Sequence, residues 1–287
     1  MLSSEDAVAL YSSTIEMPVE LVGPLRGGET GTTEIRFRTG QRKVLKWEMD
    51  EQNKTARRTG VALADRLRTE ARWPVPIQHL CEADGVLFVS QEFMRGNEVI
   101  ELTHPFVDDF FTIHETRMGL ADGGDPLAWG RAQIEILTAG GRGYCLHEPL
   151  HDHDRRTRRV ALRIEEIGRS LEPQQLQGTD IVHADMHPGN MLQIGGRLSA
   201  IVDLDFTRAG DAGFDLVFLA VSSLSTPSEG GIRRRLFDAV RTGVDEPRRL
   251  AYAGNLLLRL LDWPIRKGRT DEIEFWLRHA DRLLEPT

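Results

Sequence analysis

Apolar and polar residues alternate with period two over the first part of the chain and with period three to four over most of the rest. Thr33 to Arg38 alternates Ile and Phe with polar residues, and a second run, Arg42 to Glu48, follows across Thr39-Gly40-Gln41. That spacing predicts a hairpin. Pro18 to Val22 reads as extended, and Ile77 to Cys81 with Val86 to Glu92 forms a second strand pair around the turn dipeptide Asp84-Gly85. Two helical patterns interrupt these strands. A short one covers residues 4 to 12, with Ser3 or Ser4 as N-cap. A long one covers Glu51 to Arg72, with Ala56, Val61, Ala64, Leu67 and Ala71 on one face, and ends at Trp73-Pro74. Beyond residue 95 helices dominate: Pro105 to Leu120, Pro126 to Ala139, Arg156 to Leu171, Ala212 to Leu224, 231 to 241, Pro247 to Lys267 and Asp271 to Leu284. Breaks fall at 121 to 125, 140 to 143 and 151 to 155. Short apolar runs at Ile181-Val182, Met191-Leu192 and Leu198 to Val202, with Gly195-Gly196 as a turn, insert a few strands into this helical part. The fold class expected is mixed α/β (α+β) in two lobes. Residues 1–95 form an antiparallel sheet with one long helix, and residues 96–287 form a larger, mainly helical body.

Composition alters this picture little. With 287 residues, 40% hydrophobic and 28% charged, the chain can bury a substantial core. No run approaches the roughly 18 apolar residues of a membrane span, and the N-terminus lacks the basic and apolar regions of a signal peptide. Two cysteines outside any CxxC pair suit a reducing cytoplasm. The net charge of −8 argues against a general nucleic-acid binder. Residues 1 to 95 hold 13 basic and 14 acidic residues, so the acidity lies almost wholly in the second part, which is compatible with a cationic substrate there.

Three groups of residues suggest chemistry. Gly23 to Thr32 is a turn-rich loop between the first two strands, and its backbone N-H groups at Gly28, Thr30, Gly31 and Thr32 can approach phosphate oxygens closely. Lys46 stands in the apolar strand Val44-Leu45-Lys46-Trp47, where a lysine is unexpected unless its ammonium finds an anion. The stretch IVHADMHPGNMLQIGGRLSAIVDLDF gathers Asp185, Asn190 and Asp203 at neighbouring strand ends, an oxygen-rich set suited to a hard cation such as Mg²⁺. His183, Asp185 and His187 at alternate positions also look like zinc ligands of a metallohydrolase, but that leaves Asn190, Lys46 and the glycine loop without a task. His147, His151 and His153 lie among Asp152, Asp154, Arg155 and Arg156, which reads as a solvated loop rather than a metal site.

The segment HADMHPGN, followed by an apolar strand ending in Asp203 and then by Gly210-Asp211-Ala212-Gly213-Phe214-Asp215-Leu216, resembles the aminoglycoside phosphotransferase and choline kinase-like family, relatives of the protein kinases. That family's usual form is HGDLHPGN. Ala184 departs from it where Gly is common, and Asp205 stands where a protein kinase would have Gly. The resemblance implies a bilobal kinase-like fold and transfer of the γ-phosphoryl group of ATP or GTP to the hydroxyl of a small molecule. It implies Asp185 as the base, Asn190 and Asp203 as Mg²⁺ ligands, and Lys46 aimed at the nucleotide phosphates. It further implies an acid on the long helix paired with Lys46, for which Asp65 is the best candidate by spacing, with Glu70 and Glu51 behind it. Backbone groups around Gln91, Glu92, Phe93 and Met94 would meet the purine at a hinge. His183, Asp211 and Asp215 would support the loop. The leading acceptor is an antibiotic, ahead of a metabolite alcohol such as choline or a sugar. A binding protein without turnover is the alternative of another class. Only Thr207 to Gly210 separates the Asp203 cluster from Asp211, too little for the activation segment of a protein kinase.

Overall fold

The computed structural model describes residues 2–24, 32–121 and 124–285. Helix α1 (Ser4–Thr14) is capped by Ser3, whose Oγ accepts the N-H of Asp6 at 3.1 Å. It is followed by β1 (Val19–Pro24), β2 (Thr32–Phe37) and β3 (Arg42–Glu48), then the long α2 (Glu51–Thr69), then β4 (Gln78–Ala83) and β5 (Val86–Glu92). The five strands form one antiparallel sheet in the order β1-β2-β3-β5-β4. Ala7, Val8 and Tyr11 of α1 pack on Ile35, Leu45 and Phe88 to close a small core of their own. The second strand pair and both helices in this lobe fall where the periodicity puts them.

Helix α2 follows β3 in sequence, yet it buries Ala64 and Leu67 in the larger core, alongside Phe106, Ile181 and Leu204. The reason is visible at Gly60, where an added Cβ would lie 3.4 Å from the carbonyl oxygens of Leu204 and Thr207. A small residue there lets α2 lie directly on the 3-10 turn Leu204–Phe206.

The larger body contains β6 (Asn97–Glu98), α3 (His104–Glu115), α4 (Ala128–Ala139), α5 (Glu148–His153), α6 (Arg155–Arg169), β7 (Asp180–Val182), β8 (Met191–Ile194), β9 (Arg197–Ile201), β10 (Arg208–Gly210), α7 (Gly213–Ser222), α8 (Ile232–Gly243), α9 (Glu246–Lys267) and α10 (Thr270–Leu283). Its strands form two small sheets, β6-β8-β9 and β10-β7. Nearly every residue of α7 is buried, which makes it the central helix of this body. Among the described residues no helix is long and apolar enough to cross a membrane.

Two expectations from the sequence are corrected here. The helix predicted to reach Leu120 stops at Glu115, because Arg117 turns inward and is fully buried against Asp215. The stretch expected as a solvated loop around His147 to His153 is a short helix, and His147 is buried. Pro149 suits its first turn. Asp154 then ends it and caps α6, accepting from Arg156 N at 2.7 Å and Thr157 N at 2.8 Å.

Candidate active site

The loop after β7 is held by one buried carboxylate. Asp215, fully buried near the start of α7, accepts the N-H groups of His183 at 2.8 Å and Ala184 at 2.9 Å, and pairs with Arg117. Arg117 also donates to the carbonyls of Ile181 and Ala212. Ala184 takes φ +62°, the left-handed region that glycine enters freely and a Cβ makes costly. His183 uses both ring nitrogens inside the loop, one on the carbonyl of Val202 at 2.9 Å and the other accepting Asp185 N at 3.2 Å. His187 Nδ1 accepts Gly189 N at 3.1 Å. Both imidazoles therefore serve as loop scaffolding.

The loop presents Asp185, whose two oxygens have separate partners. Oδ1 meets Arg259 Nη1 at 2.5 Å, and Oδ2 accepts Asn190 Nδ2 at 2.8 Å. Burial pushes the Asp185 carboxyl up, but His187 and Arg259 outweigh it and hold its pKa at about 2. Of these two, the arginine is the stronger, because His187 Nε2 lies 3.6 Å from Oδ2, outside good hydrogen-bond range. Asp185 is thus a carboxylate at any physiological pH.

The β8–β9 hairpin pairs Met191 with Ile201, and Val202 N donates to Asn190 O at 2.9 Å, so Asn190 and Asp203 flank the same end of the hairpin. Asn190 commits its Nδ2 to Asp185 O and Oδ2, which leaves Oδ1 as the atom for a cation. With the Asp203 carboxylate this makes an all-oxygen pair that fits Mg²⁺ better than a softer metal. Asp203 takes φ +59°. Lys46, only 4% exposed on β3, reaches across to Asp203 Oδ1 at 2.6 Å and Asp205 Oδ1 at 3.0 Å. Asp205 Oδ2 in turn meets Arg57 Nη1 of α2 at 3.2 Å.

Asp65 is a correction. It does not meet Lys46, since its side chain is 60% exposed and pairs with Arg68 on the same helix. The lysine's acids come from the turn after β9, and α2 presents an arginine to them. Gly28, Thr30 and Gly31 lie outside the described residues. Thr32 begins β2 and pairs directly with Lys46 in the sheet register. Gln91 is buried in β5 and accepts from Gln78 Nε2 at 3.1 Å, while Glu92 is exposed at the strand end. Phe93 lies under the Arg42 guanidinium, 3.9 Å from ring centroid to Cζ, and Met94 is half-buried in the linker that follows.

Arg259 and Arg57 were not among the sequence candidates. Arg259 interrupts the apolar run Leu256-Leu257-Leu258-Arg259-Leu260-Leu261 in α9. A charge isolated among apolar residues is the same signal that marks Lys46. Its guanidinium sits 5.1 to 5.7 Å from the rings of Tyr144, Phe218 and Phe206.

A five-stranded antiparallel lobe over a helical body, with the loop after β7 and the β8–β9 hairpin between them, is the architecture of kinase-like phosphoryl-transfer proteins. The sequence model described as the phosphotransferase enzyme family matches residues 49–253. The chain belongs to this family, and it is a nucleotide-dependent O-phosphotransferase with a small-molecule acceptor. Aminoglycoside phosphotransferase APH(4)-Ia superposes with a TM-score of 0.66 at 17% identity, covering 96% of each chain. APH(2'')-IIia, solved with GDP and kanamycin, gives 0.60 at 15% identity over 96% of this chain and 97% of that one. A Haemophilus somnus 129PT protein assigned as a fructosamine-3-kinase gives 0.56 at 14% identity over 97% and 96%. At these identities the likeness is one of fold. No curated protein sequence matches the chain.

Proposed function

We propose that Asp185 accepts the proton of the acceptor hydroxyl, that Lys46 neutralises the nucleotide phosphates, and that Asn190 Oδ1 and Asp203 hold Mg²⁺. The observation that carries this reading is the juxtaposition of an ionised, hydrogen-bonded Asp185 with Asn190, and of Lys46 with Asp203, on elements from the two lobes. Phosphoryl transfer asks mainly for alignment and charge neutralisation, and this set supplies both. Mg²⁺, when bound, adds positive charge against the phosphates. The donor is ATP or GTP, met through the backbone from Gln91 to Met94, and the N-terminal lobe ends at residue 95. The enzyme works in the cytoplasm, a setting supported by Cys81 and Cys145, which are not paired.

The leading acceptor is an antibiotic hydroxyl. Fold relatives solved with hygromycin B or kanamycin support it. A second reading, a metabolite alcohol or sugar, gains from Arg259. A guanidinium 2.5 Å from Asp185 disfavours an ammonium group close to the reacting hydroxyl. A phosphate-release panel of cationic antibiotics, neutral sugars and anionic hydroxylated metabolites, run with both nucleotides, separates these. With any acceptor found, Asp185→Ala should lower turnover by about 10²-fold or more while nucleotide binding survives. Retained turnover would remove Asp185 from its role.

A further inference from the structure

Away from the cleft, α5 and α6 bring two imidazoles and a carboxylate together. His147 directly precedes α5 and His151 lies one turn on, so both rings share a face. The corner between the helices is fixed by Asp154 and by the Thr157 hydroxyl, which donates to Leu150 O at 2.7 Å. This folds Glu165 of α6 back onto both rings, with His147 Nδ1 at 3.3 Å and His151 Nε2 at 2.8 Å from its Oε1.

The hydrogen bonds around His147 leave a charge unaccounted for. Its Nε2 lies 3.0 Å from the carbonyl of Ile136, which only accepts, so Nε2 carries a proton. In a neutral ring Nδ1 is then a bare lone pair facing a carboxylate oxygen. Two acceptors in contact need a positive charge between them, either a second ring proton or a cation. The surroundings favour the cation. A ring nitrogen turned to a backbone carbonyl, and a carboxylate whose other oxygen is held by Arg169 at 2.6 Å, are the outer contacts that orient metal ligands. Two histidines and a carboxylate form a zinc set with one open position. Ligands about 2.0–2.1 Å from zinc lie about 3.3 Å apart in a tetrahedron, which matches the His147 pair and asks the His151 pair to open by about half an ångström. His147 and Glu165 are 9% and 11% exposed, whereas His151 is 30% exposed and gives access from solvent.

We propose that His147, His151 and Glu165 bind a zinc ion that cross-links the start of α5 to α6, separate from the phosphoryl-transfer site. The same segment reaches α9: Leu146 N donates to Asp262 at 3.2 Å, and the Cys145 thiol lies 3.7 Å from Asn255 O. The zinc therefore braces the ground on which the helix of Arg259 rests.

The test is calorimetric titration of the chelator-stripped full chain with ZnCl₂, and with CoCl₂ read by visible absorption. The wild type should take up one equivalent with micromolar or tighter affinity, show tetrahedral cobalt bands and gain thermal stability. His151→Ala and Glu165→Gln should each weaken that equivalent by about tenfold or more. Asp185→Asn should leave it intact, which separates this site from the loop around His187. His151 is the most exposed of the three, so its variant tests the ligand set without opening the core. Absence of saturable uptake by the wild type would mean that a ring proton alone fills the gap and would overturn the proposal. So would uptake unchanged in His151→Ala.

Discussion

The contact between Asp185 and Arg259 makes a quantitative prediction that needs no acceptor. The perturbation is a double-mutant cycle of Asp185→Asn, Arg259→Met and the pair. The two side chains are 16% and 19% exposed and 2.5 Å apart, so solvent screens them little. The Asp185 carboxyl sits at about 2 against an ordinary 3.8, which corresponds to about 2 kcal/mol of stability at neutral pH. That is a net figure, with burial opposing His187 and Arg259, so the coupling between Asp185 and Arg259 alone should reach at least about 1 kcal/mol. The sign follows from the direction of the shift. Because the folded value lies below the unfolded one, the contribution is complete above about pH 4 and is lost as pH falls through about 2. At pH 3 about half remains. Each single variant should lose more than the coupling, since it strands the partner's charge in a buried place. Urea unfolding at pH 7 and pH 3 measures all four proteins. A coupling below about 0.5 kcal/mol at pH 7, or one that does not shrink with acid, would refute the picture of a buried, mutually satisfied pair.

Two other substitutions test the frame around the site. Asp65→Ala should leave nucleotide affinity unchanged in calorimetry, because the exposed Asp65 carboxylate pairs with Arg68 on its own helix, whereas Arg57→Ala should alter it by freeing Asp205 from α2. Asp215→Ala removes the partner of a fully buried Arg117 and the acceptor of two loop N-H groups, so it should cost about 3–5 kcal/mol in denaturant unfolding and leave little folded protein at 37 °C.

How much of this was legible depended on whether the signal was local. Strands β3 and β5 are short apolar runs beside turn residues, and their observed bounds match the expected ones, whereas the second hairpin, expected at Met191-Leu192 and Leu198 to Val202, runs over Met191–Ile194 and Arg197–Ile201 around the same Gly195-Gly196 turn. Lys46 was readable because a charge in an apolar strand must find a counter-charge. Arg259 offered the same signal on a helix, and only its partner was hidden, 74 residues away in the sequence. Asp65 failed for a different reason. Helical spacing shows that a helix is amphipathic but does not fix which of its acids turns to a given neighbour. Here the phase of α2 is set by Gly60 lying against Leu204 and Thr207. His147 and His151 were hidden by the charged residues around them, since the carboxylate that gathers them arrives from the next helix.

The position of Asp205 explains why an arginine serves on α2. In the expected arrangement, an acid on the helix pairs with the strand lysine and so ties helix position to phosphate binding. Here Lys46 already has two carboxylates, Asp203 at 2.6 Å and Asp205 at 3.0 Å, and a third acid on α2 would add repulsion. Asp205 carries one oxygen to Lys46 and the other to Arg57, so the tie between helix and lysine runs through it with alternating sign. Among the described residues Asp203 is the one of the two acids without an ion pair to α2, 43% exposed and beside Asn190, which suits it to the cation. Replacing Asp205 with Gly would take one of two carboxylates from Lys46 and leave Arg57 with Glu48, whose Oε2 lies 3.9 Å from its Nε. In this chain, therefore, Asp205 and Arg57 act as partners, and replacing either one leaves the other's charge without that contact.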